Sequence, residues 1–326
     1  MARSDEPDKR DPLVSAVVLA FNRKEAMKIV LDRLSDLPVD EIVVVDNGTD
    51  GTSGELAQLY PDVRVLHSGQ NLGIAGRNRG ADLCRGRYLL MLDDDSYPLP
   101  GAVDRMVEVL ESQPRVGVVG GFVRDVDRQG AVIRATELGT FDWFLRGGRS
   151  ADDTGTIPSF FFPEGAALVR RDAFTEVGGF FEPYFATLSE LDLATRLIAA
   201  GWDVRYDPDA PFDHMKAPAG RDTGITLRYR IRNEIWYFWL RYPGWAGAWR
   251  TAYFLCFGLV ECAYRRALGA WGGGIADAWR QRRRIRGMRR PLPARLVGRA
   301  ELDRRALHRR LLFGQLHRRT SRGARG

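Results

Sequence analysis

The chain has 326 residues, of which 44% are hydrophobic and 28% are charged, an ordinary composition for a globular protein with one large core. The three cysteines show no metal-ligand spacing, and their odd number argues against a disulfide framework, so a cytoplasmic protein is expected. No run reaches the roughly 18 consecutive apolar residues of a membrane span, so the sequence predicts no spanning helix.

The net charge of +7 is distributed unevenly along the chain. Residues 276–326 hold 17 arginines and no lysine against three acidic residues, which leaves residues 1–275 with a net charge of −7. A tail this basic is expected to bind polyanions, either the headgroups of a membrane or nucleic acid, and composition does not choose between them.

Strand and helix patterns alternate through the first 120 residues. Residues 14–21 and 41–46 are short β-branched runs typical of buried strands, and residues 24–37 between them have helical spacing. Asn22 and Glu25 resemble a capping box at the start of this helix. The alternation continues with strands near 62–66, 87–92 and 116–120 and helices near 74–84 and 101–112. The pattern predicts an α/β fold with a mostly parallel sheet that binds its ligands at the carboxyl ends of the strands.

The second half of the sequence is less regular. Residues 121–163 are irregular and rich in aromatic side chains, among them Phe141, Trp143 and Phe144. The patterns then predict a strand over 166–170, a helix over 190–201 closed by Gly201, a strand near 203–206 and a helix over 225–242.

Beyond Pro243 the composition changes. About 20 residues from Trp245 onward are apolar and aromatic, interrupted by Arg250 and Glu261, and the arginine-rich tail follows. Tryptophan and tyrosine beside arginine suit the headgroup level of a bilayer, so we expect attachment to an anionic membrane surface. Packing against the rest of the protein and burial in a homo-oligomer are the alternatives.

Acidic and small residues follow the predicted strands of the first half. Asp46 and Asn47 close the second strand, where a carboxylate can bind a ribose or a base, although Asp-Asn-Gly is also typical turn chemistry. In NLGIAGRNRG (71–80), small residues and Arg77 open a helix, an arrangement that suits a diphosphate.

The segment LLMLDDDSYP (89–98) is the strongest indication of chemistry. Three consecutive aspartates at the end of a buried strand are costly unless a positive group lies there. Asp93 and Asp95 point to the same side of an extended segment, so one can hold a nucleotide while the other binds a hard divalent ion.

Further candidates lie later in the chain. Glu190 and Asp192 begin a helix, where carboxylates serve equally as helix caps or as catalytic groups. His214 follows a predicted strand, and a single histidine there is either structural or a metal ligand.

Together these segments resemble family 2 glycosyltransferases, enzymes of the GT-A fold, over about residues 13–242. The segments that carry the resemblance are VSAVVLAFNR, EIVVVDNGTDGT, NLGIAGRNRG, LMLDDDSYP, EGAALVRRDAFTEVGGF, SELDLATRL, the segment around His214, and RYRIRNEIWYF. The order and spacing of all of them are far more specific than any one of them.

The resemblance implies a role for each position. Phe21 and Asp46 would hold the nucleobase, Asp93 would lie near the ribose and Arg77 near the pyrophosphate. Asp95 would be the metal ligand of the D-x-D motif. The full set of expected donor-binding residues is Ala20, Phe21, Asn22, Asp46, Asn71, Gly73, Arg77, Asp93 and Asp94. His214 and Asp93 would complete a site for Mn²⁺ or Mg²⁺, Glu164 and Gly165 would line the acceptor side, and Glu190 would be the catalytic base.

Two departures from the family pattern matter. The usual Thr-Tyr-Asn after the first strand is Ala20-Phe21-Asn22 here, which keeps an aromatic ring for the base but loses a hydroxyl. The usual Glu-Asp pair at the catalytic position is Ser189-Glu190, which leaves Glu190 and Asp192 as rival bases.

The implied enzyme is an inverting, metal-dependent glycosyltransferase that uses a nucleotide diphosphate sugar. Its acceptor would be a lipid-linked saccharide, another saccharide or a small metabolite. We expect a charged tail over residues 1–12 and a GT-A (Rossmann-like) domain over 13–242, divided at residue 120 into donor and acceptor halves. A helical, basic extension over 243–326 would hold the protein peripherally on the inner face of the membrane.

Three other functions are compatible with parts of the sequence. A sugar nucleotidyltransferase also needs a metal-binding aspartate, but it would more often show a glycine-rich phosphate loop where this chain has AFNRKEA. A nucleic-acid-binding protein would use the arginine tail, which the acidic body argues against. A binding module without activity would have no need of Asp93, Asp95 and Glu190.

Overall fold

The computed structural model describes residues 13–133, 151–215, 223–294 and 296–297. The predicted charged tail over 1–12, the aromatic residues Phe141, Trp143 and Phe144, and the arginine-rich residues from 298 onward lie outside the described residues.

Nine strands form one sheet within the described residues. They are β1 (Val14–Ala20), β2 (Glu41–Asp46), β3 (Arg64–His67), β4 (Tyr88–Asp93), β5 (Ser96–Pro98), β6 (Val116–Val126), β7 (Ile157–Pro158), β8 (Ala166–Arg170) and β9 (Asp203–Met215).

The helices lie on both faces of the sheet and beyond its end in sequence. They are α1 (Lys24–Leu34), α2 (Thr52–Leu59), α3 (Ala75–Leu83), α4 (Ala102–Ser112), α5 (Arg171–Glu176), α6 (Ser189–Ala200), α7 (Thr223–Arg241), α8 (Gly244–Tyr264), α9 (Leu268–Arg280) and α10 (Arg282–Gly287). Within the described residues, no helix is both long and apolar enough to cross a membrane.

The strand order is β3-β2-β1-β4-β8-β6-β9-β5, with β7 added on β9. Strands β1, β2, β3 and β4 run parallel, β8 is antiparallel to both β4 and β6, and β6 is parallel to β9. The predicted mostly parallel α/β sheet is therefore confirmed. The chain leaves β1 first toward β2 and later returns to β4 on the other side, so a crevice opens between the carboxyl ends of β1 and β4.

The sheet is buried on both faces. Ala16 and Val18 of β1 join a cluster that includes Met106 of α4, whereas Val17 joins a second cluster that includes Leu193 of α6. This arrangement explains the uninterrupted apolar sequence of β1, because a strand covered on both sides has no solvent-facing positions.

A third apolar cluster joins the helices that follow the sheet. It is centred on α7, where Trp236 and Phe238 are fully buried, and it includes Phe254 of α8 and Ala278 of α9. The aromatic extension therefore does pack in part against the preceding domain, as the alternative interpretation expected. The predicted helical nature of residues 244–287 is confirmed.

Some local predictions were wrong. Asn22 does not cap α1: its Oδ1 accepts a hydrogen bond from the Thr49 amide 2.9 Å away, and its own φ is 52°. Helix α2 and strand β5 were not predicted, and β6 and β9 are longer than expected. Because β6 runs through residue 120, the predicted division of the domain at that residue falls inside a strand.

Candidate active site

The ends of β1 and β4 are joined by the aspartate cluster. The Phe21 amide donates a hydrogen bond to Asp94 Oδ2 over 2.8 Å, directly across the crevice. Burial, and then the adjacent Asp95 carboxylate, raise the pKa of Asp94 to about 7. Asp94 thus fixes the spacing of the two strand ends, while the Phe21 ring beside it is 47% exposed.

Asp95 brings together three elements. Its carboxylate bonds to the Arg23 guanidinium, and the same guanidinium nitrogen lies 3.4 Å from Asp94 Oδ1. On β9, His214 Nε2 lies 3.5 Å from Asp95 Oδ1, and His214 Nδ1 lies 3.0 Å from Asp125 Oδ1. Asp95 and His214, both predicted as metal ligands, therefore lie side by side, and Asp125 of β6 contacts the imidazole.

We tested whether these residues fit a divalent ion. Among the residues that the structure describes, no three histidine, cysteine or acidic side chains converge as a metal site. Asp95 and His214 nevertheless bring an oxygen and a nitrogen close together: His214 Nδ1 lies against Asp125, and His214 Nε2 lies 3.5 Å from Asp95 Oδ1. Two such donors fit an ion whose remaining ligands come from a diphosphate and water.

Asp93 belongs to a different network. The Arg77 guanidinium is fully buried, bonds to the Asp93 carboxylate through Nη2, and donates to Leu92 O over 2.7 Å and to Glu164 Oε1 over 3.2 Å. These bonds occupy the guanidinium, so the structure shows Arg77 bound to protein groups, and its predicted position near the pyrophosphate stays a prediction. Arg77 orients Asp93 and Glu164.

Gly165 was predicted to line the acceptor side, and the structure gives this glycine a packing reason. A Cβ atom at Gly165 would collide with the Asp93 carboxylate, and the Ser96 hydroxyl donates to the Gly165 carbonyl over 2.6 Å. The start of β8 can thus approach the end of β4 closely only because residue 165 has no side chain.

Small residues of the 71–80 segment also serve packing. A Cβ atom at Gly80 would lie 2.6 Å from Val17 Cγ1, so glycine lets α3 lie close to β1. Gly73 has a φ of +57°, and a side chain there would collide with the Phe185 carbonyl. Asn71 Oδ1 accepts from the Gly73 amide over 2.9 Å in a local turn. Gly73 and Gly80 are therefore required for close packing, whether or not this segment also binds a ligand.

Asp46 adopts the turn role that its sequence context allowed. It is 1% exposed, its Oδ1 accepts from the Gly48 amide over 2.8 Å, and its Oδ2 accepts from the Ser53 amide over 3.0 Å at the start of α2. Ala20 before Phe21 is also buried. Of the predicted nucleobase residues, only Phe21 presents a large exposed surface.

The two rival bases lie in different environments. Asp192 is fully buried and pairs with Arg196 Nε over 2.7 Å and Arg241 Nε over 2.6 Å. Although burial acts in the other direction, these arginines hold the pKa of Asp192 below its ordinary value. Asp192 thus forms a buried ion pair between α6 and α7, an environment typical of a structural role.

Glu190 faces a serine and another carboxylate. The Ser189 hydroxyl donates to Glu164 Oε2 over 2.7 Å and lies 3.3 Å from Glu190 Oε2. Burial, and then the neighbouring Glu164 carboxylate, raise the pKa of Glu190 to about 8. A carboxylate with a raised pKa is a stronger base, which is the property that proton abstraction from a hydroxyl requires.

Sequence reasoning did not identify three residues of this region. Arg23 and Asp125 occupy positions with no distinguishing pattern, although an arginine one residue after AFN could have been paired with the three aspartates. The sequence shows Ser189 only as a serine in place of the usual acid. Its hydrogen bond to Glu164 joins positions 25 residues apart, so the local pattern does not predict it.

Known proteins resemble the chain in sequence. The family model described as glycosyl transferase family 2 matches residues 15–178, half of the chain. An N-acetylglucosaminyl-diphospho-decaprenol L-rhamnosyltransferase of Mycobacterium tuberculosis is 29% identical over 269 residues, which cover 74% of this chain and 86% of that protein. A pre-mycofactocin glycosyltransferase of the same organism is 29% identical over 225 residues, 66% of this chain and 45% of that one.

Solved structures share the fold. GalNAc-T7 with UDP, GalNAc and Mn²⁺ superposes with a TM-score of 0.58 at 14% identity, covering 72% of this chain and 49% of its own. The mannosyltransferase PcManGT from Pyrobaculum calidifontis, in complex with GDP-Man and Mn²⁺, gives a TM-score of 0.51 at 20% identity, covering 83% and 76%. The fold is thus that of GT-A enzymes, and the chain belongs to glycosyl transferase family 2.

Proposed function

We propose that the protein is an inverting glycosyltransferase in which Glu190 is the general base and a nucleotide diphosphate sugar is the donor. The observation that carries this proposal is the contrast between the two acids of α6. Asp192 is locked between two arginines, whereas the half-buried Glu190 lies beside Ser189 and Glu164 with a pKa of about 8. Of the two, Glu190 is the acid whose surroundings favour the uptake of a proton.

The chemistry follows from the position of one base. Glu190 takes the proton of the acceptor hydroxyl as the acceptor oxygen bonds to the anomeric carbon, and the bond from that carbon to the diphosphate oxygen breaks with its electron pair on the diphosphate. Attack from the face opposite the leaving group inverts the configuration. A single carboxylate is sufficient, because the group that leaves is already a stable anion.

A divalent ion, Mn²⁺ or Mg²⁺, would be held by Asp95 and His214, with Asp125 orienting the imidazole. Bound there, the ion would neutralise charge on the departing nucleotide diphosphate. The bound Mn²⁺ of the structural neighbours supports the ion's identity. Arg23, which now bonds to Asp95, would release that carboxylate when the ion enters.

The donor would lie in the crevice between β1 and β4. The exposed Phe21 ring is the stacking surface for the nucleobase, with Asn22 and Asp46 shaping the turn below it. Asp93 would accept hydrogen bonds from the ribose, and Arg77 holds Asp93 in place for that contact. Asp94 contributes by fixing the crevice width.

For the acceptor we propose a lipid-linked saccharide. The support is the name of the mycobacterial rhamnosyltransferase, whose acceptor is an N-acetylglucosaminyl-diphospho-decaprenol. A saccharide end or a small metabolite is the alternative acceptor.

The surface of α8 supports membrane attachment. Every residue of α8 that is well exposed to solvent is uncharged, and large apolar side chains dominate: Trp245 is 82% exposed, Trp249 58% and Val260 66%. The helix's two charged residues, Arg250 and Glu261, lie on its less exposed side. An apolar face about 30 Å long would be unfavourable in water alone, so it is expected to have a partner.

We propose an anionic lipid surface as that partner. Exposed arginines follow along α9, α10 and the residues after them, and no acidic residue occurs between Asp277 and Glu301 in the sequence. Trp279 and Met288 are exposed among these arginines. Tryptophan at the headgroup level, an apolar face dipping below it and arginine beside it complement an anionic bilayer. The extension from residue 243 would thus be a peripheral anchor on the inner face.

The reaction can be tested directly. Purified protein is incubated with UDP-, dTDP- and GDP-sugars, an acceptor lipid carrying a disaccharide or monosaccharide diphosphate, and Mn²⁺ or Mg²⁺. The anomeric configuration of the new bond is read by NMR. Transfer with inversion supports the proposal; transfer with retention of configuration, or nucleotidyl transfer in its place, would refute it.

A further inference from the structure

The Glu164 carboxylate has no role in the mechanism given above. It lies just before β8, and its two oxygens are bonded to different elements. Oε1 accepts from Arg77 Nε of α3 over 3.2 Å, and Oε2 accepts from the Ser189 hydroxyl of α6 over 2.7 Å. These two bonds place its negative charge beside Glu190 and fix it there.

The surroundings of the Glu164–Glu190 pair limit which charges act on it. Arg77 reaches Glu164 and also binds Asp93, so its positive charge is shared between two carboxylates. On α6 itself, Asp192 is compensated by Arg196 and by Arg241 of α7.

The residue directly before Glu190 carries no carboxylate of its own. This chain has serine at position 189, directly before Glu190. A serine hydroxyl carries no charge, but it can donate to an acid that arrives from elsewhere in the fold. In the structure that acid is Glu164, 25 residues earlier in the chain.

We propose that Glu164 is a positioning residue for the base, and that it supplies, through Ser189, the carboxylate that position 189 lacks. This inference rests on the proposed role of Glu190. In this role Glu164 acts through Glu190 and is not itself the base. It keeps a negative charge next to Glu190 and so makes Glu190 hold a proton more tightly.

A link between the donor and the base follows from the same bonds. Arg77 joins Asp93, at the donor crevice, to Glu164, beside the base. Any group of the donor that draws Asp93 or Arg77 toward itself therefore changes the share of positive charge on Glu164, and with it the proton affinity of Glu190.

The test is the pH dependence of kcat/KM for transfer. In the wild type, activity requires ionised Glu190, so kcat/KM should rise with pH toward a plateau with a midpoint near pH 8, matching the raised pKa. Glu164→Gln keeps the shape of the side chain but removes its charge. The pKa of Glu190 then falls, and the midpoint should move down by about one pH unit or more. At pH 6 the rate, relative to its own plateau, should rise roughly tenfold.

The matched controls keep the charge. Glu164→Asp weakens the contact but leaves both carboxylates, so its midpoint should stay closer to that of the wild type than the midpoint of Glu164→Gln, even where the plateau falls. Ser189→Ala releases Glu164 from its anchor, so its midpoint should move in the same direction as that of Glu164→Gln. Thermal unfolding shows whether Glu164→Gln folds. If it does not, the pH profile of Glu164→Asp tests the proposal instead. A midpoint that moves by one pH unit in Glu164→Asp contradicts the proposal.

Two outcomes separate this inference from the proposed function. A Glu164→Gln enzyme whose plateau falls while its midpoint stays near pH 8 would show that Glu164 is only structural, and would overturn the inference. Full activity of Glu190→Gln would instead overturn the proposed base itself.

Discussion

The carboxyl edge of the sheet and helix α8 distribute polarity in opposite ways. At the sheet edge, carboxylates are withdrawn from water and bonded to arginine, serine or backbone amides, as at Asp94 and Asp192. On α8, the charged side chains are partly covered and the apolar ones, such as Trp245, face solvent. Burying a charge and exposing an apolar face both cost free energy in the folded protein. Residues of either kind therefore indicate a role other than stabilising the fold.

The difference teaches which property each region serves. An acid at the sheet edge should matter for activity or for stability, because its partners were arranged around its charge. An apolar residue on the face of α8 should matter for neither, but for attachment to a surface. The following predictions test this division, from the largest expected effect to the smallest.

Replacing Asp95 should have the largest effect. Asp95→Ala removes the oxygen donor of the proposed ion site and should abolish transfer, and EDTA should abolish transfer by the wild type until Mn²⁺ is restored. Mn²⁺ affinity, measured by calorimetry, should fall as well. Asp104→Ala on the exposed side of α4 is the matched control and should retain both. Transfer that continues in excess EDTA would contradict the ion site.

Replacing Glu190 should be nearly as costly. Glu190→Gln should lower kcat by about 10²-fold or more while donor binding persists, because a general base contributes on that scale. Exposed Glu108 on α4 provides a matched control as Glu108→Gln. A mild loss in Glu190→Gln together with a lost donor affinity would assign Glu190 to binding instead.

Replacing Asp192 should lower the stability of the protein. Asp192→Asn leaves Arg241, itself 3% exposed, without its charged partner and should lower the free energy of unfolding by about 3–5 kcal/mol. Denaturant unfolding monitored by circular dichroism measures this. If Asp192→Asn were as stable as the wild type but inactive, the assignment of Asp192 as structural would be wrong.

Replacing exposed residues of α8 should change membrane binding and not stability. The double change Trp245→Ser and Trp249→Ser should leave the free energy of unfolding within about 0.5 kcal/mol and weaken binding to anionic vesicles about tenfold or more, because the apolar contact with the bilayer is lost. Flotation of the full chain with vesicles that contain phosphatidylglycerol measures the binding. Ala252→Ser on the same face is the control for a small polar change.

The other possible partners of the α8 face, a second copy of the chain or a nucleic acid, would give different results. Flotation that is equal for both proteins would remove the membrane proposal. A wild type that is dimeric in sedimentation, with a monomeric double variant, would assign the face to a second copy. Retention on DNA in place of vesicles would favour a nucleic-acid role for the arginines, with a steep dependence on salt.

The sequence predicted those features that depend on local patterns. The strands β1, β2, β4 and β8 and the helices α3, α4 and α6 follow from periodicity, and Gly201 ends α6 with a left-handed φ of 99° as expected. The aspartate cluster was placed correctly at the end of β4, because charged residues that directly follow a buried apolar strand must lie where that strand leaves the core.

The sequence did not predict features that depend on contacts between distant positions. Nothing in SELDL distinguishes Glu190 from Asp192, since one of the two arginines that pair with Asp192, Arg241, comes from α7, 49 residues later. Arg77 was assigned to the pyrophosphate because it opens a helix, and its actual partners, Asp93 and Glu164, lie on two other elements. Helix α2 was not predicted because the turn-forming residues before it, 46–51, obscure the short helical periodicity of 52–59.

The position of Arg23 has a consequence for the protein without metal. Its guanidinium already bonds to Asp95 and lies near Asp94, so the acidic crevice contains a cation that is part of the chain. The guanidinium therefore offsets part of the repulsion between the aspartates when no ion is bound, and we expect the domain to fold without metal. Chelation should then be fully reversible: a protein stripped of metal keeps its unfolding temperature and regains activity as soon as the ion returns.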